Sequence, residues 1–203
     1  MMAQTQIDLA KLFQAVLQGV QQNQTALNQA DTYNHNHGDN MVQIFQQVNQ
    51  ALAKKKNAST AQQLSYASRM LQRNAQSGTG KVYAQGFAKA AGDFKGTEIT
   101  LDKILPLLQV ILGGGQTTRN DNLLNSLLGA LGGSQGTSSV SGNQLVQLLG
   151  SLLGSSSGQG SDALGSLVST LLGGSPMAQS SHRTQSSQIV TQALLQVLSQ
   201  LGK

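Results

Sequence analysis

The chain contains no cysteine and no tryptophan among its 203 residues. Without cysteine it forms no disulfide and offers no thiolate to a metal or a substrate. Charged residues make up 10% of the sequence and aromatic residues 3%, whereas about 25% of the residues in an average domain are charged. We therefore expect a polar surface that consists mainly of Gln, Asn, Ser, Thr and Gly.

Long apolar segments are also missing. No run reaches the ~18 apolar residues that a membrane span requires, and residues 1–18 lack the basic stretch and apolar block of a signal peptide. The sequence thus predicts a cytoplasmic protein without a membrane span. Its net charge is +5, but the only basic cluster, Lys54 to Lys56, is typical of a solvated helix end, so we expect no nucleic-acid binding.

Helical periodicity dominates the first half of the chain. Apolar residues recur at intervals of three and four, which is typical of amphipathic helices, and no segment alternates for long enough to indicate a strand. The sequence predicts an all-α fold in a single domain that spans residues 1–203. Four stripes define the first helices: Leu9, Leu12, Phe13, Val16, Leu17 and Val20; Met41, Ile44, Phe45, Val48 and Leu52; Leu64, Ala67, Met70 and Leu71; Tyr83, Phe87, Ala90 and Ala91.

The second half, residues 101–203, is repetitive, whereas residues 1–100 carry the distinctive polar motifs. Leu-rich segments begin at residues 104, 123, 145 and 164, and each ends in a Gly/Ser break. This pattern predicts short antiparallel helices, and the alternative is a disordered low-complexity tail. The segment SSQIVTQALLQVLSQLG, which begins at Ser186, predicts a last helix.

Few local motifs indicate chemistry. No Ser/His/Asp or paired-carboxylate arrangement can be recognised along the sequence, and the only glutamate is Glu98. SGTGK, residues 77–81, is not a Walker A loop, because Ala75 and Val82 replace the required Gly and Ser/Thr. A Gly-rich turn that leads into a helix nevertheless offers backbone N–H groups to an anion; the other interpretation is a simple helix–helix turn.

The three histidines lie in two polar segments. His35 and His37 fall in the loop before the second stripe, and His182 lies in SSHRTQSS before the last helix. Imidazoles suit zinc or nickel, so a transition-metal site is one interpretation of these residues. A solvated polar loop is the other.

Three motifs resemble the nucleotide-binding domain of dihydroxyacetone kinases, which also begins the bacterial fatty acid kinases. NHNHGDNM, residues 34–41, is similar to the family's Asp-Gly-Asp-His-Gly-x-Asn-Met loop. QSGTGKVY, residues 76–83, resembles its Gly-Ala-Ser-Gly-x-x-Tyr loop. HRTQSSQ, residues 182–188, occupies the position of its His-x-Asp-Pro-Gly-Ala-x-Ser segment.

The resemblance implies an antiparallel eight-helix barrel that binds ATP or ADP at one rim, with magnesium ions held by three aspartates. It would bring the three motifs together at that rim. The positions that it assigns to metal are Asn34 and Asn36, with Asp31 two residues from the third; His35 is an alternative ligand, which belongs to the transition-metal interpretation. Those it assigns to the nucleotide are His37, Gly38, Asn40, Met41, Ser77, Gly78, Thr79, Gly80 and His182.

The departures from the family pattern remove negative charge. Asn34 and Asn36 stand at two aspartate positions, and Gln29 stands at the third. Magnesium prefers anionic oxygen, and phosphoryl transfer depends on charge neutralisation. We therefore expect weak or no phosphotransfer, and a role in binding or assembly.

Three alternatives remain open. The first is an active ATP-dependent kinase subunit of the glycerone kinase type, which would use Asp31 and Asp39 and act with a substrate-binding partner. The second is a zinc or nickel site built from the histidines. The third is a self-associating structural protein, or a barrel whose interior holds a lipid tail.

Overall fold

The computed structural model describes residues 7–113 and 180–201. This part of the chain is helical and contains no strand, which confirms the all-α prediction. Of the four Leu-rich segments, only the first is included, as α6; those that begin at residues 123, 145 and 164 lie outside the described residues. The helices are α1 (Leu9–Gln22), α2 (Gln24–Ala30), α3 (His37–Lys54), α4 (Thr60–Asn74), α5 (Gly78–Asp93), α6 (Leu101–Leu112) and α7 (Ser181–Leu201).

Several helices begin at a polar side chain that accepts a hydrogen bond from the first turn. Asp8 accepts from the backbone N–H of Ala10 at 2.8 Å at the start of α1. Ser59 and Gln62 form a capping box at the start of α4. Such caps satisfy N–H groups that have no acceptor within the helix, and each contributes about 1 kcal/mol.

An aromatic cluster forms the centre of the core, where α1, α3 and α5 meet. The ring of Phe13 lies 6.3 Å from that of Phe45 and 5.3 Å from that of Phe87. Tyr83 packs edge-on against Phe45 at 5.2 Å. All four side chains are buried, as the apolar stripes predict.

Six of the seven described helices, all except α2, pack in a closed cycle. Helix α1 packs against α3, α3 against α4, α4 against α5, α5 against α6, α6 against α7, and α7 against α1. Glycine permits close approach at one of these contacts, since a methyl group at Gly19 in α1 would lie 3.1 Å from the Cβ of Ala193 in α7. The eight-helix barrel itself stays a prediction, because residues 114–179 are not described.

One additional helix and two helix boundaries differ from the sequence prediction. Helix α2 lies in what the periodicity indicates as loop, because Leu27 is its only buried residue. Helix α3 begins at His37 rather than after it. Helix α7 begins at Ser181, so that His182 lies in its first turn rather than before it. Within residues 7–113 and 180–201, no helix has both the length and the apolar character to cross a bilayer.

The Tyr83 hydroxyl is an unusual feature of this core. It is buried and has no hydrogen-bond partner among the described residues, and burial raises the pKa of this phenol. A buried hydroxyl without a partner costs about 1–3 kcal/mol. We therefore expect Tyr83→Phe to increase the free energy of unfolding in urea by about 1 kcal/mol.

Tyr66→Phe is the matched control, since Tyr66 is only half-buried and its substitution should change the stability by less than about 0.5 kcal/mol. A loss of stability in Tyr83→Phe would mean that the hydroxyl makes a favourable interaction in solution.

Candidate functional site

A polar pocket of about 680 Å³ lies where three segments of the chain meet. These are the turn that leads into α3, the start of α5 and the start of α7. The segments are the same three that carry the family motifs. The lining residues are Asp31, Tyr33, Asn34, Asn36, His37, Asn40, Gln76, Ser77, Gly78, Thr79, Ser180, His182 and Arg183.

The start of α5 gives the pocket a positive side. The Ser77 hydroxyl accepts from the backbone N–H of Gly80 at 3.0 Å, which leaves the N–H groups of Gly78 and Thr79 without an intrahelical acceptor. Arg183 lies against the same turn, since a methyl group at Gly78 would be 3.4 Å from its Nη2. A helix N-terminus beside a guanidinium group favours anions.

The backbone N–H groups at the start of α3 donate to a side chain of α2. The side-chain oxygen of Asn28 accepts from the backbone N–H of Gly38 at 2.6 Å and from that of Asp39 at 3.2 Å. The Asp39 carboxylate accepts from Gln24 at 2.7 Å and from Asn28 at 2.9 Å. These side-chain hydrogen bonds hold the pKa of Asp39 below its usual value, and Asp39 does not line the pocket.

Asp31 contributes a buried carboxylate to the pocket wall. Burial works to raise its pKa, but the hydrogen bond from the backbone N–H of Tyr33 at 3.2 Å and the neighbouring His182 outweigh burial, so that the pKa lies below its usual value. Asp31 is therefore ionised at neutral pH. Its Oδ1 lies 4.0 Å from Nδ1 of His182.

His37 is buried beside the pocket and is neutral at pH 7. Burial, and after it His182, lowers its pKa to about 4. Its Nε2 lies 3.0 Å from the Ser186 hydroxyl, which itself donates to the carbonyl of Arg183 at 2.9 Å. We therefore assign the proton of the neutral ring to Nε2. The ring centroids of His37 and His182 are 4.6 Å apart.

Ser180, His182 and Asp31 form a chain of contacts across the pocket wall. The Ser180 hydroxyl lies 3.2 Å from Nε2 of His182, and Nδ1 of the same ring faces Asp31. No Ser/His/Asp arrangement can be recognised along the sequence, and only the fold brings these three side chains near one another. Asp31 reaches His182 only through the packing of α7 beside α2, which spacing along the sequence does not show.

The residues assigned to the nucleotide fall into two groups. Three of them are buried and do not line the pocket. Met41 belongs to the core, a methyl group at Gly38 would clash with the carbonyl oxygen of Gln24, and one at Gly80 would clash with the Cβ of Ala75. The two glycines thus leave room for neighbouring groups, the backbone of α2 at Gly38 and the Ala75 side chain at Gly80. Those that line the pocket are His37, Asn40, Ser77, Gly78, Thr79 and His182.

The residues assigned to metal are also divided. Asp31, Asn34 and Asn36 line the pocket, whereas His35 is exposed, has a φ of 54° and does not line it. In the part of the chain that the structure describes, no three or more His, Asp or Glu side chains are grouped so that they could hold a metal ion. The metal roles stay predictions.

Four lining residues, Tyr33, Gln76, Ser180 and Arg183, are not among the predicted site residues. Gln76 and Arg183 lie within the quoted motifs at positions to which the resemblance assigns no role, and Tyr33 and Ser180 precede a motif by one and two residues. Tyr33 is 92% exposed, and an isolated aromatic residue within a polar loop is the signal that indicates it.

A second pocket, also of about 680 Å³, lies near the C-terminal end of α3. Lys56, Ser59 and Glu98 line it together with apolar residues, and the carboxylate of Asp8 caps α1 there. It contains no histidine and no arginine. The first pocket is therefore the candidate site.

A scan against protein-family models, a search of curated proteins and a search of solved structures gave no match to this chain. The function of the pocket is therefore inferred from its own residues and from the motif resemblance. Both concern the same three segments of the chain.

Proposed function

We propose that the pocket binds the phosphate groups of ATP or ADP, in an eight-helix barrel similar to the nucleotide-binding domain of dihydroxyacetone kinases, and that phosphotransfer is weak or absent. The observation that carries this proposal is the start of α5, where the N–H groups of Gly78 and Thr79 lie beside Arg183. Such an arrangement matches the charge and the hydrogen-bond acceptors of phosphate.

The charges of the pocket favour binding over catalysis. Asp31 is the only carboxylate among the lining residues, and Asn34 and Asn36 supply neutral amides. Magnesium that bridges phosphates needs anionic ligands, and phosphoryl transfer requires the metal to neutralise developing charge. Asp39 does not compensate, because its carboxylate is bonded to Gln24 and Asn28.

Tyr33 provides a surface for the base of the nucleotide. Its side chain is almost fully exposed at the pocket, although it is a large aromatic group. A tyrosine ring stacks on a purine at little entropic cost, and base–aromatic stacking contributes about 1–3 kcal/mol. The pocket thus offers separate surfaces to the phosphates and to the base.

Calorimetric titration with ADP and ATP, with and without magnesium, tests the proposal. We expect binding whose Kd changes less than about tenfold when magnesium is added. Arg183→Gln should weaken binding at least about tenfold, since a charge-assisted hydrogen bond contributes about 1.5–3 kcal/mol. Arg69→Gln is the control, because Arg69 is exposed on α4 and does not line the pocket.

Two results would contradict the proposal. If neither nucleotide binds, the pocket does not recognise phosphate. If binding requires magnesium and the γ-phosphate is transferred or hydrolysed at ordinary kinase rates, the chain is an active kinase subunit and Asp31 holds the metal.

A further inference from the structure

The hydroxyl of Ser180 occupies an unusual environment at the start of α7. Ser180 precedes the first residue of the helix, where a serine side chain ordinarily accepts from a backbone N–H of the first turn. Here the backbone carbonyl of Ser180 accepts from Arg183 and Thr184 at 3.1 Å each, and the hydroxyl instead contacts Nε2 of His182 at 3.2 Å.

The His182 ring lies between Asp31 and His37. Its Nδ1 faces the buried carboxylate of Asp31 at 4.0 Å, and its face packs against His37 with 4.6 Å between the ring centroids. A distance of 4.0 Å is too long for a hydrogen bond, but the negative charge of the carboxylate favours the proton on the nitrogen that faces it. Nε2 is then the unprotonated nitrogen, and it faces the Ser180 hydroxyl.

We propose that Ser180, His182 and Asp31 form a nucleophilic site that cleaves small carboxylic esters with a polar or anionic acyl group. Ser180 is the nucleophile, His182 is the general base, and Asp31 orients the imidazole. All three residues line the pocket. Both contacts are longer than in an engaged triad, and such contacts often shorten only when a substrate binds.

The reaction is an acyl transfer. Ser180 Oγ forms a bond to the carbonyl carbon while its proton passes to Nε2 of His182. The bond to the leaving alcohol then breaks, and the alcohol takes the proton from Nε2. Water next gives a proton to Nε2 and attacks the acyl group, which leaves as a carboxylic acid when the proton returns to Ser180.

Positive groups for the developing oxyanion and for an acidic acyl group lie in the same pocket. Arg183 and the N-terminus of α5 both line this pocket. Stabilisation of an oxyanion by such groups is a major contribution to acyl-transfer catalysis. The activity shares its positive groups with the proposed nucleotide binding, but it uses the Ser180 hydroxyl and requires neither magnesium nor nucleotide.

A fluorophosphonate probe tests the nucleophile directly. The full chain is incubated with the probe in the absence of nucleotide, digested, and mapped by mass spectrometry. We expect one adduct, on Ser180. Because the labelled protein is the original chain and not a variant, the result does not depend on whether any variant folds. It is also separate from the outcome of the nucleotide titration.

Variants then test the roles of the other two residues. Ser181→Ala, which alters the exposed neighbour of Ser180, should be labelled at the original rate. His182→Gln should be labelled about 100-fold more slowly, and Asp31→Asn at least about tenfold more slowly, with circular dichroism confirming that each is folded. No adduct on Ser180, or equal labelling of folded His182→Gln, would overturn the proposal.

Discussion

Gly86→Ala is expected to destabilise the protein by about 2 kcal/mol or more. Gly86 lies in α5 where the backbone of α6 crosses it. An added methyl group would clash with the carbonyl oxygen of Ile111 and lie 2.7 Å from its Cα. Because backbone atoms cannot rotate away, the helices must separate, and this cost exceeds the gain of about 1 kcal/mol from the higher helix propensity of alanine. Urea denaturation measures the difference.

Gly92→Ala provides a matched control in the same helix. A methyl group at Gly92 would meet no atom within 4 Å, so the substitution changes only the helix propensity and the entropy of the unfolded chain. We expect a gain of about 0.5 kcal/mol. If Gly86→Ala proved as stable as Gly92→Ala, α5 and α6 would not approach as closely as described.

Acidification between pH 6.5 and pH 4 is expected to remove about 3 kcal/mol of stability through His37 alone. The folded protein holds the pKa of His37 at about 4, whereas an unfolded histidine titrates near 6.5. Between these pH values the imidazole is protonated in the unfolded chain and neutral in the folded one, so the free energy of unfolding falls as the pH falls. Urea denaturation at several pH values measures how the free energy of unfolding changes with pH.

His37→Gln is the control for the pH effect. Glutamine retains a donor that can reach the Ser186 hydroxyl, but it does not titrate, so stability should change little between pH 6.5 and pH 4. Asp31 and Asp39 have pKa values lowered from 3.8, so their effect on stability begins near about pH 5 and falls mostly below this window. An equal slope in the original protein and in His37→Gln would contradict the burial of a neutral His37.

The helices of the first half could be predicted because their buried residues follow the helical period. Leu12, Val16, Ile44 and Val48, for example, are fully buried and fall in the stripes that the sequence indicates. Leu17 is only half-buried, since it lies at the edge of its stripe. Periodicity identifies the face of a helix but not its neighbours, so the cyclic packing was not predictable from it.

The apolar pattern of the sequence did not indicate the start of α7, because small polar residues fill the buried side of this helix. Ser186, Ser187 and Thr191 are buried, yet each hydroxyl donates to a backbone carbonyl three or four residues earlier in the same helix. Such bonds use the hydroxyl proton within the helix itself. An apolar stripe therefore does not show where this helix begins.

The candidate site was predictable only in part. The motif resemblance implies that the segments around His37, Ser77 and His182 come together, and the structure places them around one pocket. The motif resemblance does not distinguish glycines that face a ligand from those, such as Gly38 and Gly80, that leave room for neighbouring groups. The Ser180–His182–Asp31 arrangement arises from tertiary contact, so no spacing in the sequence indicates it.

The packing of α7 against α1 has a consequence for biosynthesis. The surface of α1 around Gly19 is covered by Ala193 and Ile189, which are translated much later. At about 5–20 residues per second, the ribosome delivers these partners roughly 10–35 seconds after Gly19. During that interval the surface of α1 around Gly19 lacks the two side chains that cover it in the folded protein.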